Sequence, residues 1–179
     1  MSYRVGFIGA GNMGGALLER MAKGDQSIDY AVYDIDTKRL TQLADYLKIK
    51  IEPSGQDLVK SSDIIILAVK PQYCKEVLLS IKDAFNENKI LVSIVVGLPI
   101  SYYKRILGDK VKVIRTMPNT PALVGEGMTL ISCDDLINLN EKNFILKLFG
   151  HTGKVEELNE ELMCEVTALT GSSPAYVFM

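Results

Sequence analysis

One histidine, three cysteines and nearly balanced charge remove several classes of function before any motif is read. His151 has no Cys or acidic cluster around it, which argues against a zinc site. It also lacks a paired nucleophile motif, which argues against a histidine-based triad. Cys74, Cys133 and Cys164 are odd in number, and no two share metal-ligand spacing. They read as small buried hydrophobes in a reducing compartment. Lys plus Arg number 20 and Asp plus Glu 22, a net charge of −2. Bulk charge therefore attracts neither nucleic acid nor an anionic membrane. No apolar run reaches ~18 residues, so no membrane span is expected. The N-terminus enters a strand almost at once, without the regions of a signal peptide. These absences lead to the expectation of a cytoplasmic protein with no metal.

What is present is 179 residues with 47% hydrophobic and 23% charged content, enough chain for a real core. Short apolar runs alternate with helical periodicity. Arg4 to Ile8, Tyr30 to Tyr33, Ile49 to Glu52, Ile64 to Val69, Ile90 to Val96, Val111 to Thr116, Met128 to Ile131 and Thr152 to Glu156 read as strands. Met13 to Lys23, Thr37 to Leu47, Ser54 to Val59, Gln72 to Phe85, Ser101 to Leu107, Glu141 to Phe149 and Glu160 to Leu169 read as helices. Ile64-Ile65-Ile66-Leu67-Ala68-Val69 is apolar without alternation, as a central parallel strand buried on both faces would be. The pattern predicts an α/β fold with a doubly wound, mainly parallel sheet. Near Asn159 the alternation gives way to helix followed by helix. Residues 1–159 are thus expected to form one domain, and 160–179 to begin a second, helical one.

Gly9-Ala10-Gly11-Asn12-Met13-Gly14 is G-x-G-x-x-G, following a predicted strand and opening a predicted helix. That context marks a Rossmann-type dinucleotide turn. Gly9 allows the tight turn, Gly11 admits a pyrophosphate close to the backbone, and Gly14 lets the helix lie against the strand. Asp34 follows Gly14 by 20 residues, at the end of the second strand, where a carboxylate accepts hydrogen bonds from the adenosine ribose hydroxyls. It would repel a 2′-phosphate. Ile35 and Asp36 come next, and Lys38 and Arg39 are assigned to the following helix, so no arginine is expected to hold that phosphate. NADH is the preferred cofactor on this reading. The alternative for Asp34 is a cap on the Thr37 helix. Further on, Gly171-Ser172-Ser173 precedes Pro174 at a helix start, where amides, hydroxyls and the helix dipole suit a carboxylate or a simple N-cap.

Four longer segments resemble pyrroline-5-carboxylate reductases: Leu67-Ala68-Val69-Lys70-Pro71-Gln72, Arg115-Thr116-Met117-Pro118-Asn119-Thr120-Pro121-Ala122, Gly125-Glu126-Gly127-Met128-Thr129 and Thr167 to Tyr176. With the glycine turn they occur in the family's order along the chain. The resemblance implies NAD(P)H-dependent reduction of Δ1-pyrroline-5-carboxylate to L-proline. It further implies a helical second domain that carries a homodimer or higher-oligomer interface and completes the substrate pocket. The Pro174 helix would begin that domain, so the chain reads as a truncated enzyme.

By the same resemblance, Ala68, Val69, Lys70 and Pro71 lie along the cofactor, and Met117 and Pro118 border the nicotinamide. Asn119 and Thr120 approach the substrate, Gly171, Ser172 and Ser173 take its carboxylate, and Glu160 lies near the ring nitrogen. Residue by residue, Lys70 and Glu160 are equally readable as solvated side chains, and Thr120 as part of a rigid turn. Two other functions stay open: a β-hydroxyacid-dehydrogenase-like oxidoreductase, and a non-catalytic NAD(H)-binding domain.

Overall fold

The computed structural model describes residues 3–170. Six strands, β1 (Arg4–Ile8), β2 (Asp29–Tyr33), β3 (Lys50–Ile51), β4 (Ile64–Leu67), β5 (Ile90–Ser93) and β6 (Lys112–Met117), run parallel in the order β3-β2-β1-β4-β5-β6. β7 (Gly127–Cys133) pairs antiparallel with β6, and β8 (Gly153–Glu157) pairs parallel with β7. Helices α1 (Asn12–Gly24), α2 (Thr37–Leu47), α3 (Gly55–Ser61), α4 (Pro71–Ile81), α5 (Ile100–Leu107) and α6 (Leu139–Gly150) connect the strands, and α7 (Met163–Thr170) follows β8. This is the doubly wound Rossmann sheet that the strand and helix spacing predicts.

The sheet separates two apolar cores. Ile64, Ile66, Ile90 and Val92 face one side with Leu17, Leu18 and Met21 of α1 and Ile145, Leu148 and Phe149 of α6. Ile65, Leu67 and Leu91 face the other with Leu58 of α3, Leu78 of α4 and Tyr103 of α5. Successive residues of β4 thus enter opposite cores, which is why its sequence is apolar without a break. A third, smaller cluster joins Met117 of β6, Leu130 of β7 and Met163 of α7. The outermost strands are a two-residue β3 and a β8 whose Lys154, Glu156 and Glu157 are exposed.

Several elements are shorter than their apolar runs. β4 stops at Leu67, because Lys70 caps α4 and Pro71 opens it. α4 ends at Ile81 and gives way to a single 3₁₀ turn, Lys82–Ala84. The helix expected over Glu160 to Leu169 divides into a 3₁₀ turn, Glu160–Leu162, and α7; the Asn159 side chain caps the turn by accepting from Glu161 N–H. Ser54 caps α3 as its position suggests, accepting from Asp57 N–H.

The cysteines depart in part from their expected burial. Cys74 is buried and Cys133 half-buried, and burial pushes both thiols up to about 11. Cys164 is exposed. His151 follows α6, and its ring fills the space beside Gly24, where a Cβ would overlap it. No group of three or more His, Cys, Asp or Glu among the described residues could hold a metal ion. Nor is any helix there long and apolar enough to cross a membrane.

Two outcomes follow from these packing details. Gly153 has φ +137°, and a Cβ there would run into the Gly127 backbone across the β7–β8 ladder. Gly153→Ala is expected to destabilise the fold by about 3 kcal/mol in urea unfolding. In a thiol titration near neutral pH, Cys164 is expected to react at once, and Cys74 and Cys133 only after urea is added.

Candidate active site

The order β3-β2-β1-β4 changes direction between β1 and β4, and the crevice above their C-terminal ends is where such sheets bind ligands. Three segments meet there. The glycine turn leaves β1, Asp34 leaves β2, and Ala68-Val69 leaves β4.

Contacts that admit no side chains hold the turn together. Gly9 has φ +100°, and a Cβ on it would lie 2.5 Å from the Ala68 carbonyl oxygen. A Cβ on Gly14 would lie 2.5 Å from the Gly9 oxygen and 2.7 Å from the Ala68 Cβ. Gly11 differs: nothing lies within 4 Å of the Cβ it lacks, so the space over the turn is open. Gly11 is also the N-cap of α1, gives no side-chain acceptor, and is followed by no acidic residue in the first turn. The positive end of a 13-residue helix therefore faces that open space, the arrangement that receives a pyrophosphate.

Asp34 ties β2 to this turn. Gly9 N–H donates to the Tyr33 carbonyl at 2.9 Å, Ala10 N–H donates to one Asp34 carboxylate oxygen, and Asp36 N–H donates to the other at 2.9 Å. The helix cap is Asp36, whose side chain accepts from Arg39 N–H, so Asp34 does not cap α2. Beside Asp34, Ile35 is 85% exposed.

Arg39 lies on the next helix, as its sequence position suggests, but its side chain reaches further than that placement implies. Its assignment to the next helix suggests that it lies out of reach. In the structure it stands in the first turn of α2, and its Nη2 donates to Asn12 Oδ1 at 3.1 Å. The guanidinium thus returns to the mouth of the glycine turn. The signal was present in the sequence as spacing, because a residue three beyond an N-cap points back along the helix toward its start.

On the β4 and β6 side, Lys70 is exposed at the start of α4, and Pro71 is the first residue of that helix. Asn119 Oδ1 accepts Met128 N–H at 2.9 Å, which anchors the start of β7 and leaves the side-chain NH₂ as the free donor. Pro118 is half-buried, and Thr120 is exposed at the start of the 3₁₀ turn Thr120–Val124. The Met117 side chain is only 7% exposed and packs toward Met163, so it presents little surface to the crevice.

Glu160 has protein partners. Its Oε1 accepts Ile100 N–H at 2.6 Å, at the start of α5, and lies 3.5 Å from Nη1 of Arg115. Arg115 is itself 4% exposed, and its Nη2 is 3.6 Å from Cys164 Sγ. Sequence reasoning passed over this buried arginine, which joins the chain beyond β8 to β6. Gly171, Ser172 and Ser173 lie outside the described residues.

Fold and site together define an NAD(P)-binding oxidoreductase domain of the Rossmann class. A family model described as "NADP oxidoreductase coenzyme F420-dependent" matches residues 4–97. The pyrroline-5-carboxylate reductase of Escherichia coli K12 is 37% identical over 181 residues, covering 100% of this chain and 67% of its own length. A crystal structure of Plasmodium falciparum pyrroline carboxylate reductase with NADP bound superposes with TM-score 0.87 at 33% identity, covering 98% of this chain and 65% of that one. The Coxiella burnetii pyrroline-5-carboxylate reductase gives 0.93 at 25% identity, covering 99% and 67%. The chain belongs to the pyrroline-5-carboxylate reductase family, oxidoreductases of proline biosynthesis, and spans about two thirds of the length of these relatives.

Asp34→Ala removes the acceptor of two backbone amides at the turn. It is expected to lower the stability of the ligand-free chain by about 2 kcal/mol and to weaken NADH binding about tenfold or more. Urea unfolding and fluorescence titration measure the two effects separately.

Proposed function

We propose that the whole protein reduces Δ1-pyrroline-5-carboxylate to L-proline, using NADH in preference to NADPH. The observation that carries this reading is the match to pyrroline-5-carboxylate reductases along the full chain, at up to 37% identity in the relatives described above. A hydride passes from C4 of the nicotinamide to C5 of the imine, and a proton goes to the ring nitrogen. An iminium is already electrophilic, so the protein's task is chiefly to align two rings and stabilise charge.

The glycine turn, Gly9 to Gly14, takes the pyrophosphate at the α1 N-terminus. Asp34 accepts from the ribose hydroxyls, and its charge favours a free 2′-hydroxyl. Ile35 packs against the adenine. Ala68, Val69, Lys70 and Pro71 run along the cofactor, with Met117 and Pro118 at the nicotinamide end. The Asn119 NH₂ donates to substrate, with Thr120 beside it, and Gly171, Ser172 and Ser173 receive the substrate carboxylate. Glu160 acts near the ring nitrogen by fixing the start of α5 and meeting Arg115. Residues 1–159 form the dinucleotide domain, and residue 160 begins the helical domain through which the protein forms a dimer or larger oligomer in the cytoplasm. The greater length of the relatives supports that division.

The test follows NADH absorbance with Δ1-pyrroline-5-carboxylate and the product of the intact gene, with NADPH run in parallel. Rapid oxidation with proline as product, faster with NADH, is expected. No oxidation with either cofactor by a protein that binds NADH would overturn the reading.

A further inference from the structure

Buried polar contacts join the sheet to the segment that follows β8, and they form a closed circuit. Ser93 of β5 and Arg115 of β6 are paired across the ladder, and both side chains rise on the face that carries α5. There the Ser93 hydroxyl lies 2.7 Å from the Tyr103 hydroxyl of α5. Burial pushes the Tyr103 hydroxyl up, while its bond to Ser93 and the nearby Arg115 charge act against that, so it stays protonated at neutral pH. Arg115 Nη1 lies 3.5 Å from Glu160 Oε1, and that oxygen accepts Ile100 N–H at 2.6 Å, at the start of the same helix. The path thus runs from Arg115 through Glu160 to α5, through Tyr103 to Ser93, and back across the ladder to Arg115. It holds α5 at both ends of its first turn, Ile100 and Tyr103.

The circuit acts on the turn after β5. The Ser93 hydroxyl accepts Val95 N–H at 3.1 Å, the Ser93 carbonyl accepts the Thr116 hydroxyl at 3.1 Å, and Ile94 N–H donates to the Leu67 carbonyl at 3.1 Å. β5 lies between β4 and β6, so this turn lies between Ala68-Val69 and Met117-Pro118, the segments assigned above to the cofactor and its nicotinamide end. Val96 is 54% exposed on the turn, and Gly97 follows it with φ +83°. Tyr103 and Arg115 are buried and have almost no surface with which to touch a ligand. An effect of either on the reaction therefore passes through the turn. Hydride transfer is sensitive to such an effect, because a displacement of about 1 Å between reacting groups can cost about a hundredfold in rate.

We propose that Arg115 and Tyr103 are positioning residues for hydride transfer: together they set the turn after β5 beside the nicotinamide, and Glu160 makes that setting depend on the chain that follows β8. The proposal rests on the nicotinamide end as assigned above.

The test compares the product of the intact gene with its Tyr103→Phe, Arg115→Met and Arg115→Lys variants and with the double variant Tyr103→Phe, Arg115→Met. Steady-state rates with NADH and Δ1-pyrroline-5-carboxylate are read beside the dissociation constants of NADH and 5′-ADP and the emission of bound NADH. Tyr103→Phe is expected to lower kcat about fivefold and Arg115→Met about tenfold or more, with NADH and 5′-ADP binding within about twofold of wild type and the bound-NADH emission shifted. Arg115→Lys keeps the charge and is expected to recover part of the loss. Both side chains act on one turn, so the double variant is expected to lose much less than the product of the two single losses. Unchanged kcat in Tyr103→Phe, losses that multiply, or losses that follow the folded fraction in thermal melts would overturn the proposal. If Arg115→Met does not fold, Glu160→Gln takes its place, because it removes the charge facing Arg115 and keeps an acceptor for Ile100 N–H. A wild type that binds NADH without oxidising it in the presence of this substrate would overturn the function proposed above. The bound-NADH emission would still decide the positioning role, which fails if the variants leave it unchanged.

Discussion

Helix α1 lies so close to the β1–β4 pair that neither Gly9 nor Gly14 has room for a side chain. The rest of the crevice depends on that approach. It aims the first amides of α1 at the space above Gly11, and it brings Ala68 of the β4 turn into contact with the turn after β1. Asp34 reinforces it from β2 through the Ala10 amide. Three strands are thus linked at their C-terminal ends by backbone contacts, and a dinucleotide would meet a surface already in place. Preorganisation of this kind lowers the ordering cost of binding.

A second set of buried polar groups supports the other half of the crevice. Ser93 at the end of β5 bonds Tyr103 of α5 at 2.7 Å, accepts Val95 N–H at 3.1 Å, and through its carbonyl accepts the Thr116 hydroxyl at 3.1 Å. One residue before Thr116, Arg115 meets Glu160 and Cys164. β6 therefore carries at its end both the Asn119 segment and the attachment of the chain that follows β8. A shift of α7 would act on the same strand that positions Asn119.

The sequence shows the parts of the fold that rest on backbone geometry and apolar pattern. The triple glycine, the unbroken Ile64 to Leu67 run and the Ser54 cap each have one local solution, and each is found. What the sequence hides is side-chain reach across elements. Arg39 reads as a helix residue and is one, yet only the fold shows that its place in the first turn of α2 sends its guanidinium back to Asn12. Glu160 has the pattern of a surface helix, and its partner Ile100 N–H is 60 residues away in the chain. Cys164 looks like any small apolar residue, and its exposure follows from where α7 lies on β6 and β7. Contacts of this kind depend on tertiary placement, which residue periodicity does not encode.

The two margins of the sheet bear on how copies of the chain can meet. β3 is two residues long, too short to template another strand, and β8 shows Lys154, Glu156 and Glu157 along its outer course. Short edges and edge charges both block strand-to-strand growth. Both edges described are therefore poor templates for a continuous sheet between molecules. Assembly is left to surfaces made of helix and loop. There, shape and side-chain chemistry choose the neighbour.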